Sequence, residues 1–449
     1  MTRFTKMAIL LAFPLALLAA CGGGGNGGAA LTSDDLQNPS GTIVVGGWGA
    51  ASDAFESVMS YFNEAFPDIE VDLQMDMAGG DYREVLITAL AAGSGAADVT
   101  MIEGAWIGEL RESPALINLL EYPFNAGRFR NDFVEFRWDM ATALDGRQTG
   151  IPWDMGPATL FYRRDVFRDA GLPSEPDEVE ALLSTWDGFL YAAERIHIPG
   201  ERWIIPAAQY LFFWQFINRD YFNERLELQL YRPGAIEALE TAITMRQNGW
   251  DAQVGMWSTE ATVGFGSGAI ASHVAGAWRG GALKTTVAPD SAGDWGVTRI
   301  PAGTPPSNWG GSFLAIPAQT SNPAAAWAFI EFTMTRPEIQ NTMFDAMDYF
   351  PALATAWGDP IYYYEDAYFG GQQARALWVD IANNIVPTHT TMLDSLVEAQ
   401  ILGAVNAGIE AGLDARGILD FVYESVEASI NVQRQAAIDV LRDAGMWHE

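Results

Sequence analysis

Apolar positions along this chain switch repeatedly between two periods. Residues 42–45 are a short apolar, β-branched run ending in Gly46-Gly47-Trp48-Gly49, which predicts a strand. Phe55, Met59, Phe62 and Phe66 then recur at helical spacing, with Asp53 and Glu56 in capping-box positions and Pro67-Asp68 closing the helix. From residue 69 to 77 every second position is apolar, the pattern of a strand with one solvated face. Residues 82–92 predict a helix stopped at Gly93, and residues 98–102 a buried strand. Strands alternating with helices imply an α/β lobe whose ligands lie at the carboxyl ends of its strands.

Further along, residues 150–152 predict a short strand, and residues 165–170 a helix ended by Gly171. Thr185 is placed to cap a helix over 186–196, and residues 233–247 predict another, stopped by Asn248-Gly249. A strand is expected over 269–274. Asn322 and Pro323 have the character of an N-cap and first helical residue for a helix running to 335. The last third is mostly helical and ends in a long helix from 418 to 444.

The first residues follow a different logic. Arg3 and Lys6 give a positive start, and residues 8–20 are apolar apart from Pro14, a run too short to span a bilayer. Leu18-Ala19-Ala20-Cys21 has the form of a lipobox, in which the cysteine thiol takes a diacylglycerol, and Cys21 is the only cysteine in the chain. Residues 1–21 are therefore expected to be a lipoprotein export signal ending in lipidated Cys21; an ordinary signal or an anchor helix, with a chance cysteine, is the alternative. Residues 22–40 begin GGGGNGGAA and are expected to be a flexible tether. The G-x-G-x-x-G spacing at Gly22, Gly24 and Gly27 follows no strand, so a dinucleotide site is not expected there.

What remains is too long for one hydrophobic core and long enough for two lobes. A formal net charge of −32 disfavours nucleic acid and anionic membrane surfaces as partners. Lysine occurs only at Lys6 and Lys284, so nearly all positive charge is arginine. No G-x-S-x-G, H-E-x-x-H or Walker A pattern is present, and the four histidines show no metal spacing. No catalytic residue, cofactor or metal is expected. His273, in an apolar strand, is expected to be a core residue.

In order along the chain, several motifs resemble the family 1 extracellular solute-binding proteins, the sugar-type receptors of ABC importers. Residues 82–102 (YREVLITALAAGSGAADVTMI) resemble the family's helix, glycine and "proline-aspartate-valine" strand, with Ala97 in place of the proline. Residues 150–172 (GIPWDMGPATLFYRRDVFRDAGL) are similar to its crossing segment and "Tyr-Asn-Lys-Asp" helix start, with Arg163-Arg164 for Asn-Lys. Thr185-Trp186-Asp187 with Phe189, residues 265–271, residues 293–297, Gly310-Gly311-Ser312 and residues 322–332 complete the order. The resemblance implies a two-lobed α/β fold of the type II periplasmic-binding-protein kind, with a ligand cleft between lobes joined by hinge crossings. It implies residues 41–151 with 312–365 in one lobe, and 152–311 with 366–449 in the other. The implied protein is a monomer outside the cytoplasm that delivers a mono- or oligosaccharide to membrane permease subunits.

Sugar recognition needs aromatic faces for ring surfaces and planar hydrogen-bonding groups for hydroxyl pairs. Trp48 follows the first strand, and Glu103 and Trp106 follow the strand ending at 102. Each has an alternative role, Trp48 packing on its helix and Glu103 capping one. Trp153 and Asp154 sit at the crossing. Tyr210 and Trp214 lie in an aromatic run with Phe212, Phe213 and Phe216, of which only one or two can face a cleft. Trp278 and Arg279, flanked by glycines, are the leading pair, with a surface salt bridge as the alternative for Arg279. Trp309, Gly310, Gly311 and Ser312 offer backbone N–H groups, and Trp257 and Tyr349 are further candidates. The competing readings are a secreted carbohydrate hydrolase, a receptor for a non-sugar solute, and a chemoreceptor ligand carrier.

Overall fold

The computed structural model describes residues 36–217, 220–443 and 445–447; the expected export signal, Cys21 and most of the expected tether lie outside them. The parallel βαβ start predicted from the sequence is present. Strands β1 (Gly41–Trp48), β2 (Ile69–Met77), β3 (Val99–Glu103), β4 (Ile151–Pro152) and β9 (Ser312–Ala315) form one sheet in the order β2-β1-β3-β9-β4. The first three strands are parallel, and β9 returns antiparallel between β3 and β4. A second sheet has β6 (Thr159–Arg163) between β7 (Ser272–Ala275) and β8 (Trp295–Thr298), both antiparallel to it. Between the two sheets, β5 (Asp154–Met155) pairs antiparallel with β10 (Phe350–Pro351).

Each sheet has its own core. Ile43, Val45, Phe55, Phe62, Phe329 and Leu314 belong to the first, on which Leu36 also packs. Leu160, Phe167, Phe189, Leu239, Val397 and Ile418 belong to the second. In this second lobe Thr185 accepts a hydrogen bond from the Gly188 amide and starts helix Trp186–Ile196, which buries Phe189, Ala192, Ala193 and Ile196. The final helix, Ala415–Asp443, lays Ile418, Val422, Val426 and Ile430 against helix Asp394–Glu410 at a constant spacing of one turn.

Four local expectations are corrected. The helix over 53–66 is split into Ser52–Glu56 and Met59–Ala65, because the Ser57 hydroxyl donates to the Ala54 carbonyl and the chain turns there. No Asp53 capping box forms; Ser52 Oγ instead donates to Glu56, 3.0 Å away. Asn322 makes no cap with its side chain either, because its Nδ2 donates to the Thr42 carbonyl at 2.8 Å and ties the helix Pro323–Met334 to β1. The strand expected over 269–274 begins only at Ser272, after the left-handed Gly268 and a single bridge from Ile270 to Trp203.

Beside the crossing, Asp348 is 1% exposed and receives Lys284 Nζ at 2.6 Å and Arg375 Nη2 at 3.0 Å. Lys284 also meets Asp366 at 2.6 Å. Burial works to lower the Lys284 pKa, but the two carboxylates outweigh it and hold the group charged. The scarce lysine is thus the cation where segments 279–287, 337–348 and 366–369 meet. Lys284→Met removes it and leaves carboxylates underpaired, which is expected to cost about 3 kcal/mol, read as a lower midpoint in urea unfolding.

Candidate functional site

Because β1, β2 and β3 are parallel, their carboxyl ends reach the same edge of the sheet. β9 is antiparallel to β3, with Ser312 opposite Glu103, so its beginning lies there too. The end of β4 joins them, since Pro152 pairs with Phe313. Five strand ends therefore present Trp48, Ala78, Glu103, Asp154 and Ser312 along one rim. In the other lobe, Ala275 at the end of β7 lies opposite Thr159 at the start of β6, so Trp278 emerges beside the crossing. Between the lobes lies a cavity of about 670 Å³ lined from both sides.

The crossing is held by short polar contacts. Asp154 Oδ1 accepts from the Ser312 amide at 2.7 Å, while its carbonyl accepts from Arg137 Nη2 at 2.9 Å. The Gly104 amide donates to the Gly311 carbonyl at 2.7 Å. Gly311 has φ +87°, and a Cβ there would strike the Asp154 carbonyl and Arg137. Asn308 accepts from the Gly156 amide at 2.8 Å and donates to Gly310 at 2.9 Å, securing the other crossing strand.

Two aromatic groups stand at different parts of the cavity. Trp48 and Trp106 meet edge to face at 5.9 Å, on the first lobe. Trp257 lies 5.8 Å from Trp278 and 6.3 Å from Trp309, and Trp278 Nε1 donates to the Trp309 carbonyl at 3.2 Å. A Cβ on Gly276 or Gly156 would collide with the indole edge and the Trp309 carbonyl, so these glycines let the ring settle onto the crossing.

Of the fifteen residues singled out in the sequence, Trp48, Glu103, Trp106 and Asp154 line the cavity, as do Trp278, Gly310, Gly311 and Ser312. Trp257, Trp309 and Tyr349 line it too. Four do not. Trp153 is fully buried in the first lobe, 4.7 Å from Phe55 and 4.5 Å from Tyr349. Tyr210 is buried with its hydroxyl accepting from the Met256 amide, and Trp214 packs edge-on against Phe189. Arg279 is 5% exposed and lies over Phe265 and behind Trp257, not in a surface ion pair.

Other lining residues were not singled out. Phe213 and Phe216 come from the same aromatic run as Tyr210 and Trp214. Gly79 and Gly80 follow β2 as Trp48 follows β1, and the same strand-end rule finds them. Phe136, Tyr221, Thr388, Thr390, Asp394 and Glu398 arrive from segments with no local signature.

The polar lining is entirely uncharged or acidic; among the described residues it contains no lysine, arginine or histidine. Burial pushes Asp154 up to about 6, against the pull of Arg137 and the Ser312 hydrogen bond. Burial likewise raises Glu103 to about 7, although its side chain caps helix Gly104–Leu110 by accepting from Ala105. From the other lobe, Asp394 rises to about 7 through burial, and Glu398 to about 8 through burial and then the charge of Glu103. Near neutral pH these carboxyls can serve a hydroxyl-rich ligand as donors or acceptors.

A family model described as bacterial extracellular solute-binding protein matches residues 57–363. An arabinooligosaccharide-binding protein of Halalkalibacterium halodurans is 24% identical over 369 residues, covering 78% of this chain and 80% of its own. A lactose-binding protein of Rhizobium radiobacter is 26% identical over 339 residues, covering 71% and 76%. Among solved structures, the ABC transporter associated binding protein from B. animalis subsp. lactis Bl-04, in complex with beta-1,6-galactobiose, superposes with a TM-score of 0.71 at 22% identity, covering 89% of this chain and 98% of that one. These relatives are binding proteins, and their architecture is two-lobed. With two sheets, a crossing between them and a cleft at their facing ends, this chain belongs to the bacterial extracellular solute-binding proteins.

Proposed function

We propose that this chain captures an oligosaccharide in the cleft, closes its lobes over it and hands it to the permease subunits of an ABC importer. The observation that carries this reading is the cavity itself. Tryptophan faces stand on both lobes, and a row of hydrogen-bonding groups from Glu103 to Ser312 runs between them. Rings bury their apolar faces on indoles while their hydroxyls pair with carboxyls and backbone groups. Two separated aromatic groups suit a ligand of at least two sugar rings. The names of the related proteins, which bind arabinooligosaccharides and lactose, support the same class. Capture rather than hydrolysis is the role assigned, with the lobes divided as residues 41–151 with 312–365 and 152–311 with 366–449, except that Pro152 and Trp153 pack with the first lobe. Cys21 is the proposed lipid anchor, holding the protein on the outer side of the cytoplasmic membrane.

A thermal-shift series with di- and trisaccharides tests the reading. A sugar present at 100 times its Kd stabilises by about 2.7 kcal/mol, and is expected to be recovered uncleaved after incubation. A panel of neutral saccharides that leaves the melting temperature unchanged overturns it. With an identified sugar, Trp278→Ala is expected to raise Kd roughly tenfold or more, measured by titration calorimetry. For anchoring, Cys21→Ser is expected to release the protein from the membrane fraction of expressing cells.

Ionisation gives a further expectation. The folded values of Glu103, Asp394 and Glu398 lie above those of the unfolded chain, so the folded protein binds more protons in that window. Stability of the ligand-free protein therefore falls as pH rises from roughly 5 to roughly 8. Glu398→Gln is expected to flatten that fall in a melting-temperature series.

A further inference from the structure

The lobes touch at a place that is not one of the crossing strands. Helix Gly104–Leu110 leaves the end of β3 and belongs to the first lobe. Facing it is the segment 388–393, which leads into helix Asp394–Glu410 of the second lobe; Leu393, Val397 and Ile401 are buried in that lobe's core. Arg111, at the end of the first helix, donates from Nη2 to the Thr390 carbonyl at 2.8 Å. Its other nitrogens are fixed on its own side, by the Met140 carbonyl at 3.0 Å and Glu112 at 3.2 Å.

One turn earlier, Gly108 lies so close to the facing segment that an added Cβ would run into the Thr391 carbonyl and the Thr390 methyl; the atoms nearest to it all belong to that segment. The segment is in turn held to its own lobe. Thr391 Oγ1 donates to Asp394 at 2.5 Å, and the His389 amide donates to Asp220 at 2.7 Å. The charge of Arg111 also acts on the buried Asp394 carboxyl. Thr388, Thr390, Asp394 and Glu398 line the cavity directly behind this contact.

We infer that Arg111, seated beside Gly108, is a clasp between the lobes: it holds the cleft closed and positions the wall from Thr388 to Glu398 against whatever occupies it. With Nε and Nη1 engaged on the first lobe, the Nη2 end of the planar fork is held toward the second lobe, and the carbonyl it meets belongs to that lobe. Gly108 makes the approach possible, since any side chain there would hold the lobes apart. The clasp rests on capture by lobe closure, and is independent of which solute is captured.

The test needs no ligand. In a Cys21→Ser background, spin labels at Y61C and Y191C, on half-exposed tyrosines of the first and second lobe, report the inter-lobe distance by pulsed electron resonance. The parent protein is expected to show a short-distance population. Arg111→Met and Gly108→Leu are expected to move the short-to-long ratio about tenfold toward long, the worth of one hydrogen bond to a charged group. Arg111→Lys, which keeps charge but not the fork, should fall between the parent and Arg111→Met. Gly108→Ala guards against misfolding, because its methyl meets the facing segment first; it too should lengthen the distance, with an unchanged circular dichroism spectrum. Distance distributions that superpose on the parent in Arg111→Met and Gly108→Ala overturn the clasp. Such a result would leave the sugar reading standing, since saccharide-induced stabilisation is a separate measurement.

Discussion

Asp154 is where the two halves of this molecule are tied. Its carboxylate takes the Ser312 amide, and its carbonyl takes the Arg137 guanidinium. The residue is 1% exposed, and a carboxylate taken so far out of water is costly unless its oxygens are matched. The Ser312 amide that meets the carboxylate comes from the returning strand, and Arg137, from the helix Glu135–Met140, holds the carbonyl of the outgoing one, so these bonds also fix the two strands side by side. Once they are fixed, the register of β9 against β3 and β4 follows, and with it the line of strand ends that forms one wall of the cavity.

How much of this could be read from residues alone depended on whether a local period decided the question. Trp48 and Glu103 were legible because each directly follows an apolar run that can only be a buried strand. Helix Trp186–Ile196 was legible because Thr185 and the apolar spacing agree on its start and face. Trp153 and Asp154 stand side by side at the crossing, yet extended chain alternates, and the backbone that turns Asp154 to the cavity turns Trp153 into the core. The run around Tyr210 failed for the converse reason. Its residues are aromatic on every side, no polar face marks the helical phase, and Phe213 and Phe216 face the cavity where Tyr210 and Trp214 do not. Asp394 and Glu398 come from a helix nearly 300 residues after Glu103; no local pattern could bring them to it.

The preference for arginine over lysine acquires a structural account. Arg163 donates to the carbonyls of Phe265 and Gly266 as well as to Asp165, and Arg164 bridges the Phe369 carbonyl and Glu175. Arg246 gathers Asp251, Asn406 and Gln209. Each joins segments distant in sequence through several donors set in a plane, which a single ammonium cannot do. The lysine among the described residues stands where two carboxylates converge on one point, the geometry that suits a compact charge.

The five indoles gathered at Trp48, Trp106, Trp257, Trp278 and Trp309 also have an optical consequence. Indole emission responds to the polarity around the ring, and Trp257, at 60% exposed, is the one most open to solvent. A solute that covers it, or a rotation that brings the lobes together, changes the water around these rings. The molecule therefore carries an internal fluorescence gauge of its own occupancy, readable without a label, whatever solute it holds.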